Sequence, residues 1–150
     1  MTRCRLLSLV LAVAVVTYAS AGEQATKAST AAAVEMFHQQ FNDGKFDDIW
    51  NQAADEFRAD ALSMAGSKRP YDAWMPHCRE GLGRVVSSST VKWTANTKGS
   101  LTTVSLDQDT KFEHSTGVEH FSFLVSDGKV KLRGWSITSP LFATSVRAAQ

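Results

Sequence analysis

The sequence predicts an α+β fold, with N-terminal helices packed on a curved four-stranded antiparallel sheet, and three observations carry this prediction. First, apolar residues recur at helical spacing from residue 30 to residue 82, and alternating β-branched stretches follow Gly83. Second, an Asp127-Gly128 pair joins two alternating apolar runs, as in a hairpin whose turn needs positive φ at both central residues. Third, helices precede strands instead of alternating with them, which favours α+β.

The first predicted helix begins at Ser29 or Thr30, either of which can cap it, and ends near Gly44. Its apolar residues recur every three or four positions: Ala33, Val34, Phe37 and Phe41. His38 lies beside this stripe, and we interpret it as a partly exposed helix residue without a chemical role.

Two further helices are predicted before the sheet. The second is capped by Asp47 or Asp48. Its apolar side consists of Ile49, Trp50, Ala53 and Phe57. Residues 61–69 are small and polar enough to form a connector. The third helix covers residues 71–82 and contains Pro76, which predicts a broken or kinked helix.

The sheet is predicted to have four strands, near residues 84–96, 101–113, 117–126 and 129–138. Their short connections favour an antiparallel meander. The last hairpin has one apolar face: Phe121, Phe123, Val125, Val130 and Leu132. The second strand has an acidic face, and we interpret it as solvated sheet surface rather than a calcium site, because alternate residues on one strand do not wrap an ion.

The first 21 residues have the parts of a secretory signal peptide. Arg3 and Arg5 give a positive start, residues 6–16 are apolar, and Ala19-Ser20-Ala21 supplies the small residues that signal peptidase accepts. The apolar run is shorter than the ~20 residues of a membrane-spanning helix. We therefore predict an exported protein, periplasmic or secreted, with no stable membrane span. The predicted division is a signal peptide at 1–21, a disordered leader at 22–29, the α+β domain at 30–140 and a C-terminal tail at 141–150.

Charge and cysteine content limit the function classes. The signal peptide carries two of the 16 basic side chains and none of the 15 acidic ones, so the mature chain has a net charge of −1. Such a balance does not favour binding to nucleic acid. Cys4 leaves with the signal peptide, which makes Cys78 the only cysteine of the mature chain. We interpret Cys78 as buried and inert, while pairing between chains, and with it a homodimer, stays open.

Few residues are suited to acid–base chemistry. Glu119 shares a strand face with Phe121, so it is a weak catalytic candidate or a ligand anchor inside the fold. The alternative is a rim residue paired with Arg133 or Lys131. His120 is the next residue along the strand and points to the opposite face, so it cannot form a dyad with Glu119.

Other kinds of site find no support in the sequence. There is no nucleophile elbow, no phosphate-binding glycine loop and no His or Cys pair at zinc spacing, so we predict no metal and no cofactor. Two further histidines, His77 and His114, lie on the third helix and near a strand end. The four tryptophans occupy apolar periodic positions, and we interpret them as core residues: Trp50, Trp74, Trp93 and Trp135.

The order of elements and three local phrases resemble the nuclear transport factor two-like superfamily, a cystatin-like cone, over about residues 31–139. The phrases are FNDGKFDDIW, AWMPHCREGLG and VEHFSFLVSDGKVKLRGWSI. The resemblance is to small exported bacterial domains of unknown function, and none of the phrases is a catalytic signature. Pro76 departs from the uninterrupted third helix of that pattern. The resemblance implies a cavity between sheet and helices, which relatives such as ketosteroid isomerase use for acid–base chemistry and others use only for binding.

Two functions from different classes follow. The first is a non-catalytic binding or interaction domain of the cell envelope, whose partner is a small apolar molecule or an envelope protein. The second is an isomerase- or cyclase-like enzyme with Glu119 as general base. A hollow cavity around Glu119 would favour the enzyme. A filled interior would favour a protein binder, or an envelope interaction protein, such as an inhibitor, that uses the outer sheet face. The predicted ligand pocket consists of Trp74, Thr110, Glu119, Phe121 and Trp135.

Overall fold

The structure, a computed structural model, describes the backbone of residues 6–142 and the side chains of residues 21–63 and 66–142. The helices are α1 (Leu6–Asn42), α2 (Phe46–Gln52), α3 (Asp55–Ala65) and α4 (Arg69–Leu82). The strands are β1 (Val85–Lys98), β2 (Leu101–Phe112), β3 (Thr116–Ser126) and β4 (Lys129–Thr138). The predicted α+β class is confirmed. The start of the predicted signal peptide and the tail beyond residue 142 lie outside the described residues, and export stays a prediction.

The four strands form one antiparallel sheet in the order β1-β2-β3-β4, as the short connections predicted. At the β3–β4 turn, Asp127 has φ 50° and Gly128 has φ 71°. Both values are positive, which is the condition for the predicted hairpin turn. The buried residues of β2 and β3 alternate with exposed or half-buried ones, so one face of the sheet packs against the helices.

A bulge in β4 decides which side chains face the core. Ser122 pairs with Gly134 but the next residue, Phe123, pairs with Leu132, so Arg133 is the extra residue. Strict alternation would send Leu132 and Trp135 to opposite faces of the sheet. The bulge instead brings both onto the core side, where Trp135 packs against the buried hydrophobic cluster that contains Leu132.

Helix α1 differs from the prediction at its beginning. The helix runs from Leu6 and includes residues 22–29, which we had predicted to be a disordered leader. Thr30 is therefore not a cap: it lies inside the helix, fully buried, and its hydroxyl bonds to the Thr26 carbonyl at 2.9 Å. Lys27 adds a contact to the sheet, with its ammonium 4.8 Å from the Trp93 ring centroid. The end of the helix at Asn42, just before Gly44 with φ 70°, is as predicted.

The second predicted helix is divided into α2 and α3. Ala53 is extended (ψ 162°), and the Ala54 N–H donates to the Leu132 carbonyl on β4 at 2.8 Å. The Arg58 guanidinium donates to three carbonyls at the end of α2, where a helix leaves carbonyl groups without intrahelical partners. Two predictions for this segment were wrong. Neither Asp47 nor Asp48 caps the helix, because α2 begins at Phe46 and has no side-chain cap. Much of the predicted 61–69 connector belongs to α3, which ends at Ala65.

We predicted that Pro76 breaks or kinks the third predicted helix; α4 continues through Pro76, so it is not broken there, and the kink stays a prediction. Pro76 lies on the exposed side of the helix. Proline has no N–H, so the Asp72 carbonyl lacks its usual hydrogen bond within the helix. Asp72 lies on the exposed side, where solvent can hydrogen-bond to that carbonyl. The opposite side is buried and packs into the core: Tyr71, Met75, Cys78 and Leu82.

The core lies between α1, α2, α4 and one face of the sheet, and aromatic rings form much of it. Phe37 contacts Phe121 at a centroid distance of 5.1 Å and Trp135 at 5.0 Å. Phe41 contacts Trp135 at 5.9 Å. These contacts tie α1 to the β3–β4 hairpin, where the candidate site lies.

Candidate functional site

Glu119 is the centre of a buried polar cluster. Its side chain is 1% exposed, and three donors converge on its carboxylate. His38 Nε2 lies 2.7 Å from Oε2, the Thr110 hydroxyl donates to Oε2 at 2.6 Å, and the Trp135 indole N–H donates to Oε1 at 2.9 Å. Both carboxylate oxygens are therefore satisfied, as a buried acid requires. We call these four residues the Glu119 cluster.

The sheet register explains how three strands supply this cluster. Glu119 on β3 lies opposite Gln108 on β2 and Ile137 on β4. Thr110 reaches the carboxylate diagonally from β2, where its own partner is Gly117. A Cβ on Gly117 would lie 2.9 Å from the Thr138 carbonyl oxygen, so only glycine fits there without movement. Trp135 joins from β4 because the bulge turns it inward.

His38 is the residue that sequence reasoning missed. It is 7% exposed instead of partly exposed, and its ring packs against Phe121 at 5.9 Å. Glu119 is accordingly neither an open cavity carboxylate nor a rim residue paired with Arg133 or Lys131, whose side chains are exposed. The spacing of the apolar residues on α1 could have predicted this burial. His38 lies four residues after Val34 and one residue after Phe37, which places it at the edge of the buried helix face.

The five residues predicted to line a ligand pocket lie together, but around a filled interior. Thr110 and Trp135 both donate hydrogen bonds to Glu119, and Phe121 is buried beside them. Trp74 reaches the group through Trp135, with ring centroids 5.2 Å apart. Thr110 lines one surface cleft, and Phe121 and Trp135 line another, but neither cleft includes Glu119 or His38 in its lining.

Trp135 and Trp74 connect the buried Glu119 cluster with the protein surface. Trp135 is half-buried and its indole N–H is held by Glu119. Trp74 stacks on it at a tilt of 57° and is 41% exposed, so our interpretation of Trp74 as a core residue was wrong. The reason is its position on α4, next to the exposed Ala73 and not in the buried stripe. We call Trp74 and Trp135 the tryptophan pair.

The other histidines lie apart from the Glu119 cluster. His120 is on the outer sheet face, as alternation predicted, and its Nδ1 lies 2.9 Å from Asp107 Oδ1. His114 is exposed near the end of α4, with Nδ1 3.3 Å from the Gly81 carbonyl oxygen. His77 is exposed on α4.

Cys78 is fully buried on α4 and unpaired. Burial raises the pKa of its thiol from about 9 to about 12, so the reactive thiolate is suppressed at neutral pH. A disulfide between chains would require α4 to leave the core.

Within residues 6–142, no group of three His, Cys, Asp or Glu side chains is placed to hold a metal ion. No helix of that part of the chain is long and apolar enough to cross a membrane. Comparison with known proteins gives no assignment: the sequence matches no family model, and no curated protein or solved structure is similar to it.

Proposed function

We propose that this chain is an exported binding domain of the bacterial cell envelope, with the nuclear transport factor two-like cone as its fold and a protein as its partner. The order of helices and strands is compatible with that cone. The filled interior around Glu119 favours a surface binder over a domain that encloses its ligand.

The proposal rests on the tryptophan pair, an exposed aromatic surface whose inner ring is held in place by contacts with buried residues. Trp74 is 41% exposed although it is one of the largest apolar side chains. Its neighbour Trp135 is fixed by Glu119 on one edge and by Phe37 and Phe41 on its ring. Tryptophan dominates binding energy at many protein interfaces, and a ring already held in place loses little entropy on binding.

The test is site-specific photo-crosslinking in cells that export the protein. A photoreactive side chain at position 74 should crosslink to one defined envelope protein. The same side chain at position 91 is the control, because Val91 is 56% exposed but lies on β1, at the far edge of the sheet. Purified wild type and Val91→Ala should compete for the crosslink and Trp74→Ala should not. Equal crosslinking from both positions would refute the proposal.

One observation favours the enzyme as a second candidate. Glu119 has no histidine on its own strand face, but α1 supplies His38, whose Nε2 lies 2.7 Å from Glu119 Oε2. In an isomerase-like reaction, Glu119 would take a proton from one carbon of the substrate and return it to another carbon, so that no proton is lost. His38, 2.7 Å from the carboxylate, would hold Glu119 in position for both transfers. Because Glu119 is 1% exposed, a substrate would first have to displace Trp135 or His38.

The enzyme candidate is tested by turnover. Purified wild type would be incubated with isomerisable ketosteroids and polyketide-like compounds, and products would be followed by mass and chromatography. Turnover that is lost in both Glu119→Gln and His38→Gln, but kept in His114→Gln, would establish the enzyme. We expect no turnover by wild type.

A further inference from the structure

An apolar cleft opens between α1, α2 and the tip of the β3–β4 hairpin, away from the tryptophan pair. Its volume is about 310 Å³. Its floor consists of side chains that are otherwise buried: Phe37, Ile49, Ala53, Phe123 and Leu132. Its walls are low because small residues form them, namely Ala32 and Ala33 on α1 and Gly128 in the turn. Met36, which is 53% exposed, stands at its edge.

The chemistry of this lining limits the occupant. None of the residues that line the cleft is charged, so an ionic group would lose hydration there without gaining a partner. Two polar features belong to the lining: the Ser29 hydroxyl, which donates to the Thr26 carbonyl at 3.0 Å, and a rim pair in which Gln40 Nε2 donates to Gln52 Oε1 at 3.1 Å. That bond leaves the Gln40 oxygen able to accept and the Gln52 nitrogen able to donate.

The size of the cleft sets the size of the ligand. An apolar cavity of roughly 150 Å³ accepts one benzene ring, so about 310 Å³ suits two fused rings or a medium-length alkyl chain. Ligand sites in proteins begin at about this volume and combine apolar walls with a few polar groups.

We propose that this cleft binds a small uncharged amphiphile, with a two-ring or alkyl body on the apolar floor and one hydroxyl or amide group at the Gln40–Gln52 pair. The site is separate from the surface that we propose for the protein partner. Phe37 forms the boundary, since it lines the cleft and also contacts Trp135 at 5.0 Å.

The probe is 2-naphthol, which has two fused rings and one hydroxyl group, and its charged counterpart is 2-naphthoate at pH 7. Titration calorimetry on the exported protein should give saturable 2-naphthol binding and at least tenfold weaker binding of 2-naphthoate. Ala32→Phe fills the cleft from its exposed wall and should weaken 2-naphthol binding at least tenfold. Ala31→Phe is the matched control, because Ala31 is an exposed neighbour on α1 outside the cleft, and it should bind as wild type does.

A second readout needs no variant: the side-chain amide signals of Gln40 and Gln52 should shift in NMR spectra when 2-naphthol is added. Three results would overturn the proposal. These are no saturable binding up to the solubility limit, an equal loss in Ala31→Phe and Ala32→Phe, or a loss in Trp74→Ala while Ala32→Phe still binds. The last result would place the ligand at the tryptophan pair. Failure of the crosslinking experiment would leave this site unaffected.

Discussion

At the scale of single residues, the decisive feature is a carboxylate that the core surrounds with donors. Burial of an acid costs several kcal/mol unless hydrogen bonds replace its hydration. Glu119 has three such bonds, from α1, β2 and β4, so the cluster connects elements that are far apart in sequence. Removal of any donor should therefore affect stability more than removal of a surface hydrogen bond.

We expect His38→Ala to lower the free energy of unfolding by roughly 1–3 kcal/mol, because it leaves a buried carboxylate with one donor fewer. His114→Ala is the control: that ring is exposed, and its loss should change stability by less than about 0.5 kcal/mol. Urea unfolding followed by far-UV circular dichroism measures both. Equal midpoints for wild type and His38→Ala would mean that the His38–Glu119 contact does not stabilise the fold.

Cys78 gives a prediction about alkaline pH. Its folded pKa is about 12 and its ordinary value about 9, so the unfolded thiol ionises first and stability falls as pH rises through this window. Burial also raises the pKa of Tyr71, so only the difference between wild type and Cys78→Ala isolates the thiol. Between pH 9 and 10, wild type should lose about 1 kcal/mol more than Cys78→Ala in urea unfolding. Parallel pH profiles would contradict the burial of this thiol.

At the scale of elements, the β3–β4 hairpin was the most predictable part of the chain. Its signals are local: an Asp-Gly pair and alternating apolar residues dictate the turn and the register. The bulge at Arg133 depends on packing, and Gly134 was its only local sign. The division between α2 and α3 also escaped prediction, because the Ala54 amide leaves the helix to bond with Leu132, 78 positions along the chain.

The hairpin turn is tested by Gly128→Ala. Gly128 has φ 71°, a conformation that costs an L-residue about 1–2 kcal/mol, so the variant should unfold correspondingly earlier in urea. Gly134→Ala is the matched control. A Cβ at that position would meet only the Ser122 Cβ at 3.7 Å, which is an ordinary contact, and stability should be unchanged or slightly higher. A larger loss in Gly134→Ala than in Gly128→Ala would mean that the turn and the bulge are misplaced.

At the scale of the whole molecule, the α+β class and the strand order followed from periodicity, whereas the candidate site followed only in part. Alternation places Thr110 and Glu119 on the apolar sheet face, whereas Trp135 joins them only because the β4 bulge turns it inward. His38 could not be predicted to join this group, because its contact with Glu119 is a tertiary contact between α1 and β3. The two residues are 81 positions apart in the sequence. A filled interior is likewise a matter of side-chain packing, which alternation does not reveal.

Export predicts which N-terminus the mature protein has. Intact-mass analysis of protein collected outside the cytoplasm should give a new N-terminus near Gly22, since residues 19–21 have the small side chains that signal peptidase requires. The remaining chain keeps every side-chain contact of the Glu119 cluster and should unfold cooperatively. Recovery of only full-length protein, held firmly in the membrane, would contradict export.

The central claim is that Glu119 holds Trp135 and thereby organises the exposed tryptophan pair. The most direct measurement is hydrogen exchange at the four tryptophan indole N–H groups by NMR. Trp135 should exchange far more slowly than Trp74, which is 41% exposed, and Glu119→Gln should accelerate exchange at Trp135 while Trp93 is unchanged. An indole signal of Trp135 that exchanges as fast as that of Trp74 in the wild-type protein, or that Glu119→Gln leaves unaltered, would contradict the account.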